Sequence, residues 1–131
     1  MEKKKRILIG KIGLDGHDNG MRIVAKWLAD AGFEVIYLGL YNTPEGMVKA
    51  VLQENADFIG CSFLGGEHLF YCRKLLDLLR KNGLEDKKLI IGGVIPPDDV
   101  KVLRDIGVSA IFTPGTMRDA IIYKVKELFK A

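Results

Sequence analysis

The segment Lys11-Ile12-Gly13-Leu14-Asp15-Gly16-His17-Asp18-Asn19-Gly20 gathers the residue types that do chemistry. It holds one of the chain's two histidines, two carboxylates, a lysine and three glycines. Imidazole can ligate a metal or move a proton near neutral pH. A carboxylate beside it can fix its tautomer and orientation. The second histidine, His68, follows Glu67. Asp15, His17, Asp18, Glu67 and His68 are therefore the candidate set for a metal site of two histidines and one carboxylate. Two plainer readings stand beside it: His17 as a solvated loop residue, and His68 as a polar residue at a helix start.

The chemistry-bearing segment lies between a strand pattern and a helix pattern. Residues 6–12 read as a buried strand and 13–19 as a loop. From Met21 to Ala31 the apolar positions Ile23, Val24, Trp27, Leu28 and Ala31 fall at helical spacing, and Gly32 ends the helix. Phe33 to Leu38 is a second strand. Thr43 caps a second helix with Pro44 at its first position, running to about Glu54. Ala56–Ser62, Lys88–Ile91 and Ser109–Phe112 are strands three to five; helices follow at about 67–81, at Pro97–Ile106 and at about Arg118–Lys130.

Alternating strands and helices, with short and nearly all-apolar strands, predict a parallel sheet covered on both faces. The expected fold is α/β, a single flavodoxin-like domain over residues 1–131 with a five-stranded sheet in the order 2-1-3-4-5. In that order the loops at 13–19 and 62–66 face one crevice at the strand ends, where ligands bind. Residues 1–5 read as a basic tail.

The bulk composition excludes several classes. A formal charge of +3 over 131 residues, part of it in Lys3, Lys4, Lys5 and Arg6 without interleaved aromatics, argues against a nucleic-acid partner. No apolar run reaches the ~20 residues that span a membrane, and the basic start lacks the apolar segment of a secretory signal. Cys61 and Cys72 lack zinc spacing and read as free thiols of a reducing cytoplasm. Glycines 13, 16 and 20 miss the dinucleotide spacing, and no Gly-Lys-Ser/Thr loop occurs. An acidic loop would repel a flavin phosphate. Cys61-Ser62 stands where a phospho-receiver domain needs an aspartate.

Four stretches carry a resemblance. Asp15-x-His17-x-x-Gly20 resembles the D-x-H-x-x-G signature of cobalamin-binding domains. Ser62-x-Leu64 is similar to that family's S-x-L, Gly92-Gly93 to its later paired glycine, and Thr113-Pro114-Gly115-Thr116 to its P-G-T turn. The run Gly92-Gly93-Val94-Ile95-Pro96-Pro97 resembles the acyl-CoA mutase branch, typified by methylmalonyl-CoA mutase.

The resemblance implies roles residue by residue. His17 would be the lower axial ligand of cobalt, taking the place of the cofactor's own dimethylbenzimidazole. Asp15 would hold the other ring nitrogen, and Lys11 would steady Asp15; the plain reading of Lys11 is a solvated strand-end lysine. The displaced nucleotide tail would enter a slot between the sheet and the first helix. Gly92 and Gly93 would line it, with Gly60 a further candidate. A bulky residue at position 93 is expected to block the tail and leave the fold intact. Ser62 would donate to the freed ring nitrogen, Leu64 would pack on the benzimidazole, and Gly115 and Thr116 would border the nucleotide. Gly16, Asp18 and Gly20 belong to the same cofactor-binding loop, Asp18 with no assigned contact.

The same resemblance implies adenosylcobalamin as cofactor and a radical carbon-skeleton rearrangement of an acyl-CoA, begun by cobalt–carbon homolysis. The substrate-binding barrel of such mutases needs about 250 residues, so a separate large TIM-barrel subunit is the implied partner. Leu40, Tyr41, Leu69 and Phe70 are candidates for docking it. The alternatives are a non-catalytic cobalamin carrier and a corrinoid methyl-transfer module.

Overall fold

The computed structural model describes residues 4–13 and 19–130. Five strands and five helices alternate: β1 (Arg6–Ile12), α1 (Asn19–Asp30), β2 (Glu34–Asn42), α2 (Pro44–Glu54), β3 (Phe58–Phe63), α3 (His68–Lys81), β4 (Lys88–Gly93), α4 (Pro97–Ile106), β5 (Ala110–Phe112) and α5 (Arg118–Lys130). All strand pairs are parallel and the order is β2-β1-β3-β4-β5. The expected topology is the observed one.

Strand alternation divides the apolar residues between two faces. Leu8, Ile59, Cys61, Leu89 and Ile91 pack with Met47 and Val51 of α2, Cys72, Leu75 and Leu79 of α3 and Leu103 of α4. Ile7, Ile9, Phe58, Ile90 and Ala110 pack with Met21, Ala25 and Leu28 of α1 and Ile121 and Val125 of α5. Each fully buried Ile or Leu contributes roughly 1.5–3 kcal/mol. The helix starts and ends are set locally. Thr43 Oγ1 accepts the Gly46 N–H at 3.0 Å with Pro44 behind it, and Gly107 ends α4 at φ 119°.

The second strand departs from expectation: it runs to Asn42 rather than Leu38. Its pairing with β1 shifts register around Gly10, and Gly39 and Tyr41 take positive φ angles of 72° and 62°. Asn42 stitches this irregular end together. Its Nδ2 donates to the carbonyls of Lys11 (3.1 Å) and Gly39 (2.9 Å), and its own carbonyl accepts the Gly13 N–H at 3.1 Å. Bulged pairing of this kind bends a strand end and re-aims its side chains; Tyr41 is turned to solvent.

Candidate cofactor slot

A cavity of about 640 Å³ lies between the sheet and the α1 and α5 helices. Register fixes its floor in layers. Ser62, Gly92 and Phe112 are neighbours across three strands at the carboxyl end. One layer deeper, Ile9, Gly60, Ile90 and Ala110 are neighbours. Deeper still, the same face is filled by Phe58, whose ring stacks on Phe129 at 4.0 Å. The room therefore opens where glycine replaces a large side chain. Val24, Trp27 and Leu28 of α1 and Ile121 and Val125 of α5 form the walls. Leu64 and the 113–116 turn border the carboxyl-end rim, with Asn19 and Gly20 on the α1 side.

The three candidate glycines are not equivalent. A Cβ on Gly92 would meet only the Phe112 carbonyl oxygen, at 3.4 Å, and one on Gly60 the Ile9 Cγ1 at 3.3 Å. A methyl at Gly92 would sit at contact distance and one at Gly60 would need the Ile9 side chain to give by a few tenths of an ångström, so the lack of a side chain at both leaves the floor open. Gly93 also borders the cavity, but its missing Cβ points elsewhere. It would lie 1.9 Å from the Phe63 carbonyl oxygen, and φ is 126°. A bulky residue at 93 would break the β3–β4 junction. The expectation that such a change spares the fold is thus corrected.

Lys11 is not the solvated strand-end residue of the plain reading. It is 0% exposed, and its Nζ donates to the Ser62 carbonyl at 3.1 Å. The end of β1 is thereby tied to the β3 residue that borders the slot. Ser62 is half-buried and Leu64 exposed at the rim. Gly115 holds φ 90°, and Thr116 Oγ1 donates to the Thr113 carbonyl at 2.6 Å, fixing the turn beside the slot. Asp15, Gly16, His17 and Asp18 lie outside the described residues, and their assigned roles with them.

His68 is held inside the fold, between α3 and α4. It is 3% exposed, and its Nε2–H donates to Asp99 Oδ2 of α4 at 2.7 Å. Its Nδ1 is buried and has no hydrogen-bond partner among the described residues. No group of three or more His, Cys, Asp or Glu side chains is placed to hold a metal among the described residues. The two thiols are core residues. Burial pushes Cys72 up to about 12, and burial together with the nearby Cys72 pushes Cys61 up as well.

Gly60 and Gly92 of the floor stand out in the sequence, whereas much of the wall does not. Trp27, Ile121 and Val125 look like ordinary core positions of amphipathic helices. Only the glycines at 60 and 92, opposite them in space, make them lining residues. The fit to a corrinoid tail rests on this floor: two side-chain-free positions open a slot that a flat aromatic base would fill.

A five-stranded open α/β sheet with a glycine-floored slot at its strand ends defines a ligand-holding domain. The sequence profile described as the B12 binding domain matches residues 5–122, and the chain belongs to that family. It is 42% identical over 126 residues to the 2-hydroxyisobutanoyl-CoA mutase small subunit of Aquincola tertiaricarbonis, covering 96% of this chain and 93% of that one. It is 44% identical over 123 residues to the pivalyl-CoA mutase small subunit of Xanthobacter autotrophicus, covering 94% and 82%. Among solved structures, a cobalamin-binding protein of Desulfitobacterium hafniense matches with a TM-score of 0.82 and 27% identity. The match covers 95% of this chain, which spans 59% of that protein's chain.

Proposed function

We propose that this chain is the small, cobalamin-binding subunit of an adenosylcobalamin-dependent acyl-CoA mutase, working with a separate large barrel subunit in the cytoplasm. The observation that carries the reading is the slot, whose glycine floor at Gly60 and Gly92 leaves room for a flat aromatic base beside Ser62. Its membership of the B12-binding family and its likeness along nearly its whole length to two mutase small subunits support the assignment.

Each residue then has a task. His17 would offer its imidazole nitrogen to the cobalt. Asp15 holds the other ring nitrogen and so sets the tautomer. Lys11 anchors the start of that segment against β3. Ser62 donates its hydroxyl to the ring nitrogen of the tail base, Leu64 covers that base, and Gly92, Gly93, Gly115 and Thr116 border the nucleotide. Gly16, Asp18 and Gly20 would belong to the same cofactor-binding loop. When bound, adenosylcobalamin would supply the radical chemistry of the rearrangement. The small subunit's own work is to hold the cofactor, present the axial ligand and form one wall of a site that excludes water. Substrate choice belongs to the large subunit.

Reconstitution with the large subunit and a panel of acyl-CoA thioesters tests the assignment. Isomerisation that requires both chains and adenosylcobalamin is the expected result. Cobalamin uptake without any activation of the large subunit would instead mark a carrier. The axial ligand has its own readout. Nitrogen splitting in the paramagnetic resonance spectrum of the Co(II) form, traced with labelled histidine, should disappear in His17→Ala. Unchanged splitting would remove His17 from the assignment.

A further inference from the structure

The polarity of the slot is graded with depth. At the carboxyl-end layer stands the Ser62 hydroxyl beside Gly92. One layer down the floor is Ile9, Gly60 and Ile90, and the walls are Val24, Ile121 and Val125. Trp27, on the same wall, brings an indole N–H, a donor only. Among the described lining residues at this depth, no side-chain oxygen or ring nitrogen can accept a hydrogen bond. The strand carbonyls there are engaged in the parallel ladders between β1, β3 and β4.

We infer that this slot selects the corrinoid by its lower base, taking dimethylbenzimidazole and discriminating against purine bases. The inference rests on the reading above that the cofactor's tail enters the slot. Detached from cobalt, dimethylbenzimidazole presents one free ring nitrogen, which Ser62 can serve, and two methyl groups at its far edge. Those methyls meet an apolar layer. Adenine in the same place carries an exocyclic amine and two more ring nitrogens at that edge. The indole of Trp27 can serve one acceptor, but the amine's donors find no acceptor. Burying an unpaired polar group costs enough to lower affinity by roughly ten-fold or more. Gly60 is the second determinant, because its missing side chain gives the base its depth.

Titration of the full chain with three corrinoids tests this: cobalamin, its adenine-bearing analogue, and cobinamide, which lacks the tail. Trp27 is the sole tryptophan and sits on the slot wall, so quenching of its fluorescence reports tail insertion, and equilibrium dialysis gives the affinities. The expected result is cobalamin at least about ten-fold tighter than the adenine analogue. Gly60→Val should bring cobalamin down to the level of cobinamide without weakening cobinamide itself. A preference for cobalamin over cobinamide with equal binding of the adenine analogue would overturn the selectivity while sparing the tail slot. Equal binding of cobinamide and cobalamin by the wild type would overturn the slot assignment, and the selectivity with it.

Discussion

Gly93 shows how one missing carbon can serve the fold rather than the ligand. An added Cβ would sit on the Phe63 carbonyl oxygen, which accepts the Val94 N–H at 3.1 Å, and the backbone is in a conformation that side chains rarely adopt. Gly93→Ala should cost at least about 3 kcal/mol in urea unfolding. Gly92→Ala should cost under about 1 kcal/mol, since its Cβ meets one atom at contact distance. Similar losses at both positions would contradict the geometry. The two buried thiols make a second case. In the unfolded chain they ionise near the ordinary value of 9.0, whereas in the folded chain Cys72 holds its proton to about 12. Below pH 9.0 both states are protonated and nothing is lost. As pH rises from 9.0 towards 12 the unfolded chain alone releases the proton, so stability falls. The loss is at most about 1.4 kcal/mol per pH unit for each thiol. Unfolding curves of wild type and Cys72→Ala from pH 8 to 11 should show the steeper decline in the wild type. Rapid labelling of native thiols at pH 8 would refute the burial.

The pair His68–Asp99 binds the first turn of α3 to the first turn of α4. These helices follow β3 and β4, the strands that carry Ser62 and Gly92 to the slot. The contact therefore braces two of the loops that surround it, from the opposite face of the sheet. Removing Asp99 leaves the buried His68 ring nitrogen without its bond, at a cost of roughly 1–3 kcal/mol; removing His68 leaves a half-buried carboxylate that water can still reach. Asp99→Ala should destabilise the fold by that amount in urea unfolding, and His68→Ala should destabilise it through the lost packing of a buried ring. The double variant should lose much less than the sum of the two. Simple additivity would mean that the bond contributes little. The bulged end of β2 shows the same logic at another element, with Asn42 spending its side-chain amide on the carbonyls of Lys11 and Gly39.

The end of the molecule where the strands finish is rich in exposed apolar side chains. Tyr41 stands there at the end of β2, and Leu64, Phe70, Val94 and Met117 each on a different connection or helix start. Of the four residues expected to dock a partner, Tyr41 and Phe70 are exposed, whereas Leu40 and Leu69 are half-buried and Leu69 packs on the core. Single exposed apolar residues are ordinary, but a cluster around one rim marks a contact surface. Under the proposed function the large subunit covers it. Phe70→Asp should weaken association with that subunit by about ten-fold or more, the usual effect of losing a central aromatic. Cobalamin binding to the small subunit alone should stay within about two-fold. Unchanged association in sedimentation or calorimetry would exclude this rim. Among the described residues no helix is long and apolar enough to cross a membrane.

The element order, the parallel sheet and its strand order were legible in the sequence. Short apolar runs, the Thr43-Pro44 cap and glycine stops act over a few residues, and right-handed crossovers leave few topologies open. The loop of Asp15 and His17 was legible as a motif of residue types. What the sequence could not decide was direction. Gly92 and Gly93 are adjacent, yet one leaves the slot open and the other makes room for Phe63, because successive residues of a strand point to opposite faces and strand pairing sets what each face meets. Lys11 could be read as a partner of Asp15 or as a solvated strand end until the end of β3 was laid against it. His68 could be read as a ligand or as a polar helix start until α4 brought Asp99 to it, 31 residues away. Trp27, Ile121 and Val125 became walls only when α1 and α5 came together over Gly60. These outcomes depend on contacts between distant segments, which tertiary packing alone brings together.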